Sequence, residues 1–384
     1  MITLGIDIGT SSVKVALLGD DDHVIAHSSQ PLHVSRPHTG HSEQSPEAWW
    51  QATCRGLDEL KALHPAELAE TTAIGLSGQM HGATLLDAAG EVLRPCILWN
   101  DGRSEAECAE LERDWPALRQ VTGNIAMPGF TAPKLLWVRK HEPQIFERTA
   151  KVLLPKAYLR WRLAGEYAED MSDASGTLWL DVGARRWSEA ALSACGMRIE
   201  QMPRLVEGSE PAGQLRPELV SRWGFRRAPI LAGGAGDNAA GAVGVGAVHP
   251  GDAFVSLGTS GVLWATTARF APNPARAVHA FCHAVPNTWH QMGVLLSAAS
   301  CLAWWAAVAG RTETELLAEL DSSAAGASPV WFAPYLSGER TPHNDARVRG
   351  GFLGLAADTT RAHMTRAVLE GVAYAMHDAQ QSLA

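Results

Sequence analysis

Apolar and polar residues alternate along the first segment of the chain. Ile2, Leu4, Ile6 and Ile8 occupy every second position, which is the period of a strand with one buried face. A Gly-Thr-Ser sequence begins at Gly9, and a second apolar segment follows it. The pattern predicts a β-hairpin that reverses at Gly9, where glycine permits a tight turn.

The outline of this hairpin recurs at residues 254–263, where apolar residues flank Gly258, Thr259 and Ser260. Such a turn directs backbone N–H groups and small hydroxyl groups one way, so it can cradle an anion. For either copy alone, an ordinary β-turn is the alternative. Two cradles in one chain suggest two facing lobes that hold a polyphosphate, and hence a nucleotide-dependent phosphotransferase.

Asp7 stands just before the first turn, on the strand face opposite Ile6 and Ile8. Its carboxylate should therefore point into the space where phosphates would lie. Phosphoryl transfer needs a cation that neutralises charge on the phosphate oxygens, and carboxylates suit Mg²⁺, directly or through water. The sequence thus predicts a magnesium site at Asp7.

A helix and a strand follow in the N-terminal half. Ser45, Pro46 and Glu47 have the order of cap, proline and acid that begins a helix. A strand at residues 73–77 runs into a polar turn at residues 78–82, where a loop-borne site would lie. The helical spacing predicts one apolar face, formed by Trp49, Thr53, Gly56, Leu57, Leu60 and Leu63.

A glycine-rich segment at residues 233–241 follows another apolar strand, and Asp237 and Asn238 open a helix of small residues through Gly246. The glycine spacing does not match the dinucleotide fingerprint G-x-G-x-x-G. From the residues alone, Asp237 is either the N-cap of this helix or a general base that takes a proton from a sugar hydroxyl.

Residues 289–310 contain no charged side chain. Their length would allow a membrane span, but the segment is rich in alanine and serine and begins with polar residues. We therefore expect a buried helix here and no membrane association.

Composition narrows the class of protein. A chain of 384 residues exceeds one ordinary domain, so two lobes are expected. The formal net charge of −9 argues against a general nucleic-acid binder, which would carry a basic patch. Six scattered cysteines and the lack of a signal-peptide pattern favour a reducing, cytoplasmic location.

Several segments together resemble the FGGY family of carbohydrate kinases. The resemblance implies the actin-like ATPase fold, an α/β protein with two ribonuclease-H-like lobes around a central cleft where sugar and ATP meet. It implies a sugar-binding N-terminal lobe at residues 1–247 and a nucleotide-binding C-terminal lobe at residues 248–384. Family members continue beyond this point, so the second lobe is expected to be incomplete. The matching segments are residues 7–12, 78–82, 97–103, 129–137, 236–241, 256–261 and 334–344.

The resemblance also implies roles for individual residues. Asp237 would be the general base, and Asp7 would hold Mg²⁺ with Asp237 sharing the ion. Asp101 and Arg103 are either a buried ion pair that positions the Met80 loop or direct contacts to the sugar. The sugar contacts would be Met80, His81 and Asn238, with a purely structural histidine as the alternative for His81. The phosphate contacts would be Thr10, Ser11, Ser12, Lys14, Gly258 and Thr259.

The implied reaction is ATP-dependent phosphorylation of D-xylulose to D-xylulose 5-phosphate. The Met80-His81 pair and the run at residues 236–241 are most similar to the family members that act on this sugar. A kinase for another ketopentose or polyol, such as ribulose, is one alternative. A catalytically silent sugar-binding protein of the same fold is another. The family further suggests a homodimer.

Overall fold

The computed structural model describes residues 1–21, 23–320 and 327–383. Two compact units are present. One comprises Met1–Val248 with Phe281–Trp289, and the other comprises His249–Ala280 with His290–Ala384. Both units combine helices with strands.

The first unit is built around a sheet with helices against it. Its strands are β1 Ile2–Ile8, β2 Ser12–Leu18, β3 Val24–Pro31, β4 Glu43–Gln44, β5 Thr71–Gly78, β6 Thr84–Leu86, β7 Cys96–Ile97, β8 Lys151–Leu153, β9 Ala168–Asp170, β10 Leu180–Asp181, β11 Arg186–Trp187, β12 Arg204–Val206, β13 Pro211–Gln214, β14 Ile230–Ala232 and β15 Ala235–Gly236. Its helices are α1 Pro46–Leu63, α2 Pro65–Ala69, α3 Glu105–Asp114, α4 Leu118–Thr122, α5 Thr131–His141, α6 Pro143–Arg148, α7 Pro155–Ala164, α8 Met171–Ser175, α9 Glu189–Ala194, α10 Pro217–Trp223 and α11 Asp237–Gly244, with a 3₁₀ turn at Ile199–Gln201.

The main sheet of this unit has the strand order β13-β14-β5-β1-β2-β3, and β15 also pairs with β5. Strands β1, β5, β14 and β15 are parallel where they pair, whereas β1, β2 and β3 form an antiparallel meander. The hairpin predicted at Gly9 is confirmed as β1 and β2. This topology brings the ends of three parallel strands to one edge of the sheet.

Helix α1 covers one face of the sheet and packs against β2 and β3. The predicted helix is confirmed, but Ser45 makes no side-chain capping hydrogen bond and Leu63 is exposed. Leu63 is the last helical residue, where the helix no longer faces the sheet. The core beneath α1 consists of Leu4, Ile6, Ile8, Val13, Val15, Leu17, Trp49, Leu57, Leu60, Ile74 and Leu76.

A four-stranded sheet with the order β16-β17-β19-β18 belongs mostly to the second unit, while Phe281 and Cys282 of β18 and Trp289 of β19 are assigned to the first. The second predicted hairpin is confirmed as β16 and β17. A small core lies among α12, α14 and the β20–β21 hairpin. The strands are β16 Ala253–Leu257, β17 Gly261–Thr267, β18 His279–Cys282, β19 Trp289–Leu295, β20 Trp331–Ala333 and β21 Gly351–Leu353. The helices are α12 Ala299–Ala309, α13 Glu313–Ala318 and α14 Arg361–Gln380, with a 3₁₀ turn at Pro274–Arg276.

The prediction of one buried helix over residues 289–310 is wrong. The segment divides into strand β19 and helix α12. Strand β19 lies inside its sheet and has both faces covered, so its residues lack the alternation that marks a half-exposed strand. Helix α12 buries only one side, because Val308 and Trp304 are exposed.

Among the residues that the structure describes, no helix is both long enough and apolar enough to cross a membrane.

Candidate active site

The register of the parallel strands gathers the predicted site residues of the first unit. Asp7 on β1 lies opposite Ser77 on β5, and Ser77 lies opposite Ala235 on β15. The polar turn at residues 78–82 follows β5, and Asp237 follows β15. Carboxyl ends of neighbouring parallel strands meet at one sheet edge, which is where ligands bind in open α/β sheets.

Asp237 is the first residue of α11, and Gly236 occupies the N-cap position without a side-chain cap. The interpretation of Asp237 as an N-cap is therefore wrong. Its Oδ1 accepts hydrogen bonds from the backbone N and the Nδ2 of Asn238, at 2.7 and 2.9 Å. The residue as a whole is exposed, but protein atoms around its carboxylate partly desolvate it. Surrounding protein raises the pKa of Asp237 to about 6, and the negative charge of Asp7 acts in the same direction.

Met80 and His81 form a rigid turn after β5. His81 has a φ of 71°, and its Nδ1 lies 2.7 Å from the carbonyl oxygen of Gly176. Its ring packs edge-on against Phe130 at a centroid distance of 4.8 Å. A Cβ on Gly176 would lie 2.5 Å from this Nδ1, so the position requires glycine. The His81 ring is thus held by contacts on more than one side.

The first Gly-Thr-Ser turn is closed by a hydrogen bond from Gly9 N to Ser12 O at 2.9 Å. The Thr10 hydroxyl donates to Gln79 Oε1 at 3.3 Å and accepts from Trp99 Nε1 at 3.0 Å. Contacts within the protein therefore already engage Thr10, one of the predicted phosphate contacts. Ser11 is exposed.

Lys14 lies directly across the hairpin from Asp7. Both side chains line a cavity of about 760 Å³ on the sheet face of the first unit. Helix α11 forms part of its wall through Ala240, Val243 and Gly244. The cavity therefore places an anionic and a cationic side chain next to a largely apolar surface.

Gly258 and Thr259, the remaining predicted phosphate contacts, lie in the second unit. Their turn is closed by a hydrogen bond from Gly258 N to Ser260 O at 2.9 Å. The carbonyl oxygen of Thr259 accepts from Ala298 N at 2.9 Å and from the Ser300 hydroxyl at 2.7 Å. The beginning of α12 therefore fixes this turn.

Asp101 and Arg103 form the ion pair that was one of the two sequence interpretations. Arg103 Nη2 lies 2.7 Å from Asp101 Oδ2, and Arg103 Nη1 lies 2.8 Å from Glu43 Oε1. Both side chains are buried, and Asp101 also accepts from Ser42 N at 2.6 Å. Burial tends to raise the pKa of Asp101, but hydrogen bonds from Arg103 and Ser42 hold it below the usual value.

A buried group of charged residues around α8 was missed by sequence reasoning. Lys156 Nζ pairs with Glu169, with Asp170 Oδ2 at 2.6 Å and with Asp173 Oδ2 at 3.5 Å. The three carboxylates lie close enough together to hold a metal ion, but the Lys156 ammonium already supplies a positive charge. Asp170 caps α8 through Ser172 N, so the Asp-x-Ser pattern was a usable signal for a helix start.

Comparison with known proteins gives matches along nearly the whole chain. The family models for the N-terminal and C-terminal domains of the FGGY family of carbohydrate kinases match residues 2–244 and 253–384. Xylulose kinase from Escherichia coli (strain K12) is 55% identical over 376 residues, which cover 98% of this chain and 77% of that protein.

Solved structures agree with these sequence matches. The crystal structure of a protein described as a xyloylose kinase from Brucella ovis has a TM-score of 0.97 and 56% identity. The match covers 100% of this chain and 80% of that one. Xylulose kinase from Rhodospirillum rubrum has a TM-score of 0.92 and 30% identity, covering 98% of this chain and 77% of that one.

Proposed function

Because this chain belongs to the FGGY family of carbohydrate kinases, we propose that it transfers the terminal phosphoryl group of ATP to the 5-hydroxyl group of D-xylulose. The products are D-xylulose 5-phosphate and ADP. The observation that supports D-xylulose as the substrate is the similarity to xylulose kinases over nearly the whole chain.

The predicted fold class, the actin-like ATPase type of α/β fold, is confirmed by the similarity to kinases of this family. We propose that residues 1–247 bind the sugar and residues 248–384 bind the nucleotide. The homodimer and the cytoplasmic location remain predictions. Light scattering of the purified protein measures the first of these directly.

Asp237 is proposed as the general base. Both hydrogen bonds from Asn238 go to Oδ1, so Oδ2 can accept the proton of the attacking sugar hydroxyl. Asn238 therefore orients the carboxylate of Asp237. We propose that it also contacts the sugar. General base catalysis of this kind contributes about 10²–10⁴-fold to a rate.

Met80 and His81 are proposed as sugar contacts beside this base. Gly236 is the residue before Asp237, and a Cβ atom at this position would lie only 2.8 Å from Met80 Cγ. The two segments are therefore packed tightly together. The Nδ1 of His81 faces the carbonyl oxygen of Gly176 and so carries the ring proton, which makes Nε2 the acceptor nitrogen of the neutral ring. That arrangement suits recognition of a sugar hydroxyl.

The phosphate groups of ATP are proposed to lie against the two Gly-Thr-Ser turns. Their contacts would be Thr10, Ser11, Ser12 and Lys14 in the first unit, and Gly258 and Thr259 in the second. Backbone N–H groups in such turns favour anions, and the Lys14 ammonium adds positive charge.

The carboxylates of Asp7 and Asp237 fit a magnesium ion. They are hard oxygen ligands, and the charge of Asp7 disfavours ionisation of Asp237, so a divalent cation near both would relieve their repulsion. When bound, Mg²⁺ would neutralise charge on the phosphate oxygens.

A coupled assay of ADP release across a panel of ketopentoses and polyols tests the proposed function. We expect turnover with D-xylulose well above that with D-ribulose and the polyols. A higher rate with another sugar would reassign the substrate within the class. Sugar binding in calorimetry without any ADP release would instead indicate a catalytically silent protein.

A further inference from the structure

A continuous line of buried hydrogen bonds runs behind Asp237. The Ser172 hydroxyl accepts a hydrogen bond from Gly236 N at 3.1 Å, one residue before the proposed base. The same hydroxyl donates to Asp170 Oδ1 at 2.5 Å. Ser172 and Asp170 are both completely buried. The backbone just before Asp237 is thus tied to the beginning of α8.

Asp170 is itself fixed in place. Its Oδ1 accepts from Ser172 N at 2.9 Å and from Asp173 N at 3.2 Å, which caps α8. Its Oδ2 lies 2.6 Å from the buried Lys156 Nζ. An ionised acceptor strengthens the hydrogen bond that it receives, and linked hydrogen bonds polarise one another. The Ser172 hydroxyl proton is therefore directed to Asp170, which leaves its lone pairs for Gly236 N.

On its other side, Gly236 packs against Met80 in the polar turn at residues 78–82. A Cβ at this position would lie 2.8 Å from Met80 Cγ. The Gly236 backbone is consequently confined between the Ser172 hydroxyl and the Met80 side chain. Small movements of this backbone would carry Asp237 with them.

We propose that Ser172 is a positioning residue for phosphoryl transfer. Its hydroxyl, oriented by Asp170 and Lys156, sets the location of the Asp237 carboxylate relative to the sugar hydroxyl. The inference rests on the proposed function, because it needs Asp237 to be the base. Loss of the hydroxyl leaves the buried Gly236 N–H without its acceptor, and the segment moves to recover one. Displacement of a catalytic group by about 1 Å can cost on the order of 10²-fold in rate.

Helix α8 offers a matched control. Ser175 is also completely buried, and its hydroxyl accepts from a distant backbone group, Cys282 N, at 3.0 Å. Ser172→Ala and Ser175→Ala therefore remove the same atom from the same helix, and each deprives one backbone N–H of its acceptor. They differ in whether that N–H adjoins Asp237.

The test measures steady-state ADP release with D-xylulose, sugar affinity by calorimetry and thermal unfolding. We expect Ser172→Ala to lower kcat by at least about tenfold, with the sugar Kd and the KM for ATP within about twofold of wild type. Ser175→Ala should lower the unfolding temperature by a similar amount but retain kcat. In an Asp237→Asn background, Ser172→Ala should cause no further loss of kcat, because the group that it positions is already inactive.

Equal kcat in the two serine variants, or additive losses in the double variant, would overturn the inference and leave a structural role for Ser172. If Ser172→Ala does not fold, Ser172→Cys replaces the hydroxyl with a somewhat larger thiol that is a weaker acceptor, and it should show an intermediate kcat. Wild-type kcat in that variant would equally overturn the inference. Absence of turnover by the wild-type protein would overturn the proposed function itself, and the inference with it.

Discussion

Each Gly-Thr-Ser hairpin closes its turn with a backbone hydrogen bond that the glycine N–H donates, but the acceptor lies three residues ahead in the first hairpin and two residues ahead in the second. Gly9 N donates to Ser12 O and Gly258 N donates to Ser260 O, each at 2.9 Å. Their strands pair in antiparallel register on both sides of the turn. The two hairpins therefore share an antiparallel layout and a Gly-Thr-Ser sequence, but the second turn is one residue shorter than the first.

Their surroundings differ. In the first hairpin, side chains from distant segments fix the turn: Gln44 Nε2 donates to Thr10 O at 2.7 Å, and Trp99 Nε1 donates to the Thr10 hydroxyl. In the second hairpin, the adjoining beginning of α12 fixes the turn: Ala299 N donates to Gly258 O at 2.9 Å, and the Ser300 hydroxyl donates to Thr259 O at 2.7 Å.

The residue two places before each glycine also differs. It is Asp7 in the first hairpin and Ser256 in the second. The anion cradle is therefore a property of the turn, whereas a carboxylate next to it depends on one preceding residue. Of the two hairpins, only the first pairs the turn with an acid. Strand β5, the parallel neighbour of β1, also pairs with β15, which leads to a second acid, Asp237. The acid–base chemistry is thus expected in the first unit alone.

Among the substitutions that distinguish the two units, loss of the proposed base Asp237 should have the largest effect on kcat. Asp237→Asn keeps the shape of the side chain but cannot accept a proton, so kcat should fall about 10²–10⁴-fold, or about 3–5 kcal/mol of barrier. Sugar affinity in calorimetry should change little. Asp252→Asn is the control, because the carboxylate of this aspartate accepts a hydrogen bond from the nearby His249 N at a turn of the second unit. Near-normal turnover by Asp237→Asn would show that the proton leaves by another route.

Substituting the residue two places before each glycine tests directly whether the two hairpins differ in function. Asp7→Asn should lower kcat/KM for ATP on the order of 10²-fold, the cost of losing one preorganised electrostatic contact. Ser256→Ala at the corresponding position of the second hairpin should stay within about twofold. The measurement is initial velocity at varied ATP and saturating sugar. Equal losses in the two variants would mean that the hairpins contribute alike.

We expect the sugar specificity of the first unit to depend on His81. His81→Ala should leave a sugar hydroxyl without its partner, at a cost of about 1–3 kcal/mol in transition-state stabilisation. That cost corresponds to a fall in kcat/KM for the sugar of roughly 5–150-fold. ATP affinity should be unchanged in calorimetry. His343→Ala, an exposed histidine that contacts Tyr335 in the second unit, is the matched control. A parallel loss of ATP affinity in His81→Ala would argue against a sugar-side location.

The smallest expected effect is a difference in Tm between two threonine variants, one in each turn. It tests whether the threonine hydroxyl helps to fix the turn. Thr10→Val removes the hydroxyl that bonds Gln79 and Trp99, which should cost about 1 kcal/mol and lower Tm by about 2–4 °C. The hydrogen bonds described for Thr259 use its carbonyl oxygen, which Thr259→Val keeps. Its Tm should therefore change by less than about 1 °C. Calorimetric melting of both variants makes the comparison, and equal shifts would remove the distinction.

Local patterns were sufficient to predict much of the first unit. The alternation of Leu4, Ile6 and Ile8, the proline at the beginning of α1 and the glycine-rich approach to Asp237 each act over a few residues. Strand period, helix start and tight turns depend on backbone sterics and neighbouring side chains, which are written in the sequence itself. The two hairpins belong to this class. The local pattern at Asp237 left a helix cap and a general base as alternatives, and only the family resemblance implied the base.

Other features were decided by the tertiary structure. Residues 289–295 form a strand because they lie inside a sheet, where continuous apolar sequence is compatible with either helix or strand. Lys156 finds its carboxylate partners on β9 and α8, more than ten residues away in the chain. Asp7 approaches Asp237 only because β1, β5 and β15 share a parallel register. Pairing between distant segments is set by burial and chain topology, and no short stretch of sequence encodes it.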